Sequence, residues 1–256
     1  MDLGISGRVA VVAGASQGIG REIALGLARE GVDVLAVARS AERLTTLAGE
    51  VTALGRRCHV AAVDVSDRTA TRIALDAGAA VLGEPTILVL AVAAVYRPEK
   101  LQFVDAGRTD ELLAVDLRSQ VELCQWALPH MMQARWGRIV GVGSLAARTG
   151  VAGGALYAAA KAGLEGLMRG LAVDYGRRGI TANVVAPSLA RTERLVARIA
   201  GDPDHEQKLE RATASRRIPE PREIADVVTF LCSERAGAIT GAVVDATAGA
   251  HLNNLW

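Results

Sequence analysis

The sequence predicts an α/β fold: a parallel, doubly wound sheet of about seven strands with helices on both faces. Three observations predict it. Apolar runs of strand length alternate with longer segments of helical period along all 256 residues. The strand runs are continuously apolar, as strands covered on both faces are. No Pro/Gly/Ser-rich linker breaks the alternation, so a single domain spanning 1–256 is expected.

Arg8 to Ala13 reads as the first strand and Ile19 to Glu30 as its helix. Asp33 to Val37 is the second strand, and Ala41 to Leu54 a helix that Ser40 can cap. His59 to Val63 is the third strand, followed by a helix from about Thr69 to Leu82. Ile87 to Ala91 is the fourth. A long helical stretch runs from about Thr109 to Arg135, and Pro129 is expected to bend it. Arg138 to Val142 is the fifth strand, Ala155 to Arg177 a helix, and Thr181 to Val185 the sixth strand. Pro221 to Ser233 is a short helix with Pro in its first turn, and Ala242 to Asp245 the closing strand. Leu189 to Arg217 has no strand period and is rich in Arg and Asp. Ligands of such sheets bind beyond the carboxyl ends of the strands, so 189–217, following the sixth strand, is expected to cover that crevice as a lid, with a solvated surface helix pair as the alternative.

Net charge is +1 with acids and bases interspersed, which gives no footprint for nucleic acid or an anionic membrane. Met1 to Gly7 has no basic region leading into an apolar run, so no signal peptide is expected. Ile87 to Val95, the longest apolar stretch, is too short to span a bilayer. Cys58, Cys124 and Cys232 are widely spaced and odd in number, which suits core positions in a reducing cytoplasm better than disulfides or a metal site.

Gly14-Ala-Ser16-Gln17-Gly18-Ile19-Gly20 lies between the first strand and its helix. Glycines there permit a tight turn and close approach to a pyrophosphate, and the helix start supplies N–H donors. This pattern is expected of the phosphate turn of a Rossmann-like dinucleotide site, the alternative being a tight βα turn with no ligand. The second strand ends Ala38-Arg39-Ser40 without the carboxylate that would hold adenosine ribose hydroxyls. Arg39, with Ser40 as second donor, suits a 2′-phosphate instead, so the expected cofactor is NADP(H). Asp64-Val65 ends the third strand, where Asp64 could accept from an adenine amino group beside Val65, or serve only as a turn residue before Ser66.

Tyr157-Ala-Ala-Ala-Lys161 puts a phenol and an ammonium on one helix face. A tyrosine is a poor base near neutral pH, and a neighbouring cation favours its ionised form. Lys161 could also hold the ribose hydroxyls, and Ser144, just past the fifth strand, could hold the substrate oxygen. Tyr96 and Lys100 share the spacing, but Pro98 between them breaks the helical geometry. Tyr96 therefore reads as loop or pocket lining.

These residues resemble, over nearly the whole chain, the short-chain dehydrogenase/reductases of the single-domain type of roughly 250 residues. The motifs that carry the resemblance are Gly14 to Gly20, Asp64-Val65, Gly137-Arg-Ile-Val with Ser144, Tyr157/Lys161, Gly179-Ile-Thr-Ala-Asn183 to Pro187, and Ile239-Thr-Gly241. The resemblance implies that Ser144 orients a carbonyl, Tyr157 is the acid/base, and Lys161 holds cofactor ribose and assists the tyrosine. It implies that Pro187 to Thr192, including Ser188 and Leu189, borders the nicotinamide, and that Ala91 and Ala93 wall the cofactor. It also implies a homotetramer or homodimer. Several positions depart. The family's Thr before the first glycine is Ala13. Its Asn-Asn-Ala-Gly is Leu90-Ala-Val-Ala93, its helix Asn is Asp116, and its glycine after Pro187 is Ser188. Asp116 fills the fourth catalytic position; the resemblance implies that this residue acts through its main-chain carbonyl, so a proton relay could survive the change, while a carboxylate near Lys161 could weaken the lysine's effect on Tyr157.

The expected function is interconversion of a ketone and a secondary alcohol, as a ketoreductase of secondary or biosynthetic metabolism. Two alternatives stand beside it: a non-catalytic dinucleotide-binding sensor or partner subunit, and the same site used for epimerisation, dehydration or enoyl reduction. Pocket walls are expected from Ala93 to Lys100, Leu145 to Leu156 and Leu189 to Arg217. Arg148, Arg191 and Arg194 are candidates to meet an acidic substrate group.

Overall fold

A computed structural model describes residues 2–252. Met1 and residues 253–256, the ends of the expected domain, lie outside the described residues.

Seven parallel strands form one sheet in the order β3-β2-β1-β4-β5-β6-β7. They are β1 (Val9–Ala13), β2 (Asp33–Ala38), β3 (Cys58–Ala62), β4 (Ile87–Leu90), β5 (Gly137–Val142), β6 (Ile180–Pro187) and β7 (Val243–Ala246). The continuous apolar runs are explained by the two-sided burial. Ala10 and Val12 of β1 point into one core, and Val9, Val11 and Ala13 into the other. The first core is closed by α1 (Gly18–Arg29), α2 (Ala41–Ala53) and α10 (Pro221–Leu231), through Ile23, Leu27, Leu44, Leu47, Ile224 and Val228. The second is closed by α3 (Arg68–Leu82), α5 (Ser119–Ala134) and α7 (Ala155–Tyr175), through Leu75, Leu123, Leu164 and Met168. Cys124 and Cys232 are buried core residues, whereas Cys58 is half-buried on the edge strand β3.

The chain reverses its order of winding between β1 and β4, where Ala13 pairs with Leu90. Helices leaving these two strands cover opposite faces, so a crevice opens at their carboxyl ends.

The expected long helix from Thr109 to Arg135 is divided. Its first segment, α4 (Ala106–Leu113), begins earlier because the Asp105 carboxylate accepts from Arg108 N–H at 2.7 Å and caps it. A π-helical turn, Ala114–Arg118, follows and leads into α5. The helix runs on through Pro129, and the break in hydrogen-bond register falls instead at this turn. A one-turn helix, α6 (Ala146–Thr149), is too short to show in periodicity. Residues 189–217 carry α8 (Glu193–Ile199) and α9 (Pro203–Arg211), which Thr192 and Asp202 cap through Leu195 N–H and His205 N–H. Tyr96 to Lys100 is loop, as Pro98 requires. Among the described residues, no helix is long and apolar enough to cross a membrane.

Candidate active site

A cleft of about 600 Å³ lies at the switch point beyond the strand ends. It is lined by Gly14, Ser16, Gln17, Gly18, Ile19 and Gly20 at one end. Arg39, Ser40, Asp64 and Val65 line its flank, and Ala91, Ala93, Ser144, Tyr157, Lys161, Pro187, Ser188 and Thr192 its far part. Two expected residues stand apart. Leu189 packs against Leu195, Ile199 and Ile218 rather than against the cleft, and Asp116 is fully buried beneath it.

The glycine turn is dictated by contact. Gly14 has φ +90, and a Cβ there would meet the Ala91 carbonyl oxygen at 2.5 Å. Gly20 packs on the Gly14 backbone so tightly that no side chain fits. Gln17 precedes α1 without offering it a side-chain cap, and the first turn carries no acid. The N–H groups of Gly18 to Gly20 thus remain available to a phosphate. The turn's glycine cradle, uncapped donors and adjoining Arg39 fit a dinucleotide pyrophosphate and ribose.

Arg39 is largely exposed, and its closest ionic contact is a 3.9 Å pair with Asp64. Ser40 caps α2 by accepting from Arg43 N–H at 3.4 Å. Asp64 Oδ1 closes a turn, accepting from Ser66 N–H at 2.9 Å and from the Ser66 hydroxyl at 2.7 Å, while the residue also lines the cleft. The Ser66 N–H bond foremost holds the Asp64 carboxyl below the usual range, against the effect of burial.

Ser144 is buried just past β5, and its Oγ accepts from Ala146 N–H at 3.2 Å, which leaves its proton free to be donated. Leu145 N–H donates to the Pro187 carbonyl at 2.9 Å and fixes this loop to the end of β6. Tyr157 and Lys161 follow one another by a turn of α7. Lys161 is buried, and its Nζ reaches the Val142 carbonyl at 3.3 Å and the Val92 carbonyl at 3.5 Å. The ammonium stands 5.8 Å from the centre of the Tyr157 ring. Tyr96 also packs against this ring, at 5.2 Å between centroids, and its hydroxyl donates to the Ala152 carbonyl at 3.2 Å. Asp116 Oδ1 accepts from Ala94 N–H at 2.7 Å, and its own carbonyl accepts from Gln120 Nε2 at 2.7 Å.

A family model described as enoyl-(acyl carrier protein) reductase matches residues 14–251. The 3-oxoacyl-(acyl-carrier-protein) reductase FabG of Pseudomonas aeruginosa is 36% identical over 251 residues, spanning 98% of this chain and 100% of its own. A solved 3-oxoacyl-(acyl-carrier-protein) reductase from Agrobacterium tumefaciens with NADP bound has a TM-score of 0.91 at 30% identity, covering 97% of this chain and 96% of its own. Carveol dehydrogenase from Mycobacterium avium in complex with NAD gives 0.91 at 27% identity, covering 97% and 99%. The chain belongs to the short-chain dehydrogenase/reductase family. It is an oxidoreductase.

Within this short-chain dehydrogenase/reductase, two of the arginines considered for an acidic substrate are otherwise engaged. Arg148 pairs with Asp245 and lies 3.8 Å from Glu165. Arg191 pairs with Glu206 at 2.5 Å, Glu220 at 3.3 Å and Glu210 at 3.5 Å. Of the three, Arg194 lines the cleft. Sequence reasoning missed Arg43, which also lines it and bonds Gln17 Oε1. Its signal was its place one turn after Ser40, the cap of α2. It missed Glu111 and Val115 too, which reach the cleft from the divided helix.

Proposed function

We propose that this enzyme interconverts a ketone and a secondary alcohol with NADP(H). One observation carries the reading: Ser144, Tyr157 and Lys161, from the end of β5 and from α7, line a single cleft together with the glycine turn. When bound, the dinucleotide supplies or accepts the hydride. Ser144 hydrogen-bonds the carbonyl oxygen through its hydroxyl and orients it, keeping its own proton. Tyr157 gives that oxygen its proton in reduction and takes it back in oxidation. Lys161 commits ammonium donors to two carbonyls and retains one for a ribose hydroxyl. Its charge favours the phenolate left after transfer.

NADP(H) preference rests on Arg39, Ser40 and Arg43 grouped on the flank of the cleft, and on the absence of a carboxylate at the end of β2. We assign the role of a lid over the substrate to 189–217, from which Thr192, Glu193 and Arg194 line the cleft. The three unpaired cysteines suit a cytoplasmic setting. Val95 and Val115 on the wall favour a substrate with an apolar body.

NADPH consumption across a panel of 3-oxoacyl thioesters, ketoses and cyclic ketones tests the reading. At least one is expected to be reduced, and Tyr157→Phe to lower kcat by about 10³-fold while leaving NADPH binding intact. NADPH binding without turnover of any ketone would favour a sensor or partner subunit, the reading that the Ala93 and Asp116 departures support.

A further inference from the structure

Asp116 is a fully buried ionisable group beneath the site that the proposed reaction leaves without work. It sits in the π-helical turn. Its Oδ1 accepts from Ala94 N–H, while Oδ2 has no hydrogen-bond partner among the described residues. Lys161 grips the same short segment from α7, through the carbonyl of Val92. The carboxyl and the ammonium are thus held against Val92 to Ala94, and the ammonium in turn faces the Tyr157 ring.

The ionisable surroundings are few. From α7 comes Lys161, and from α4 comes Arg108, which Glu111 engages at 2.8 Å. The segment Val92 to Ala94 offers an N–H and no charge. The remaining packing about the Ala94 end of this pocket is apolar: Leu112, Val115, Leu156 and Ala160, with the Tyr157 ring. A buried carboxylate with one unpaired oxygen is costly, and a neutral acid costs less. Burial accordingly raises the Asp116 carboxyl above the ordinary carboxylate range, against the opposing pull of Lys161, the Ala94 N–H and Arg108.

We propose that Asp116 is a second titrating group of the site, a positioning residue that acts through Lys161. Its carboxylate offsets the ammonium charge felt by Tyr157, and its neutral form leaves that charge whole. The proposal rests on Tyr157 being the acid/base. Its sign follows directly. As pH rises and Asp116 ionises, the lysine's hold on the phenolate weakens, so phenolate formation is deferred to higher pH. Asp116→Asn keeps the acceptor for Ala94 N–H and removes the charge for good.

The test compares the full-length protein with Asp116→Asn by two readouts. The first is kcat/KM for alcohol oxidation against pH at saturating NADP⁺. The second is the tyrosinate ultraviolet absorbance, assigned to residue 157 by subtracting the Tyr157→Phe titration. The rising limb and the absorbance midpoint are expected to move to lower pH by about one unit in the variant. Unchanged midpoints overturn the proposal, including the case where rates fall uniformly at every pH, the mark of a structural role. An absorbance shift in a protein that turns over no substrate sustains it while sinking the proposed reaction. If Asp116→Asn does not fold, Asp116→Ser, also uncharged, carries the same expectation.

Discussion

Arg43 stands one helical turn beyond Ser40 and bonds the Gln17 side chain, so it bridges the glycine turn and the start of α2. Arg39 projects from the end of β2 with a single long pair to Asp64. Both guanidinium groups line the flank where the proposed 2′-phosphate would sit. Each charge-assisted bond to a phosphate is worth about 1.5–3 kcal/mol. Arg39→Ala and Arg43→Ala are therefore each expected to raise the NADPH dissociation constant at least tenfold and to leave that of NADH nearly unchanged, as fluorescence titration would record. Equal losses for both cofactors would mean the arginines merely stabilise the turn. Arg39 was legible in the sequence because it ends a strand at the position where cofactor charge is read. Arg43 was not, since its approach to Gln17 depends on the exit angle of α2, and the chain is crowded with arginine. Arg148 and Arg191 show the same limit from the other side: spacing placed them near the pocket, and only the fold reveals their acidic partners.

Arg191 also governs an element. Its guanidinium joins the segment after β6 to α9 through Glu206 and Glu210, and to the start of α10 through Glu220. Hydrogen bonding to Glu206 chiefly strengthens the protonated state of Arg191. Partly exposed networks of this kind are worth about 1 kcal/mol, or about fivefold in an equilibrium. Arg191→Ala is expected to speed proteolytic cleavage within 200–216 by that factor and to raise KM for the ketone more than it lowers kcat. A change in cleavage without any change in KM would separate this segment from substrate handling. A helix pair in this segment was an alternative open to the sequence, but the bounds of α8 and α9 were not legible, because both helices span only two turns or so and give a faint period. The division of the long helix escaped the sequence reading for a different reason. A π turn adds one residue to the hydrogen-bond ring without changing composition, and Pro129 offered a louder but misleading break.

At the scale of the molecule, the strands and their order of burial were legible because two-sided packing leaves uninterrupted apolar runs such as Val9 to Ala13 and Val184 to Ala186. The site's position followed from the switch between β1 and β4, a property of winding rather than of any side chain. Specific contacts across elements, such as Tyr96 on Tyr157 or Asp116 on Ala94, carry no local sequence mark. They exist because distant loops converge at the strand ends.

Burial of the three cysteines has a practical consequence. It pushes the thiols of Cys124 and Cys232 up to about 12 and that of Cys58 up to about 11. Alkylating reagents attack the thiolate, so at neutral pH the intact fold is nearly inert to them. Each core thiol then acts as an internal clock of breathing, marked only when its own layer opens. Timed iodoacetamide labelling read by mass spectrometry is expected to modify Cys58, on the sheet's rim, first. Cys124 and Cys232, one in each helical layer, should follow together if the two layers melt as one unit, and in sequence if they part.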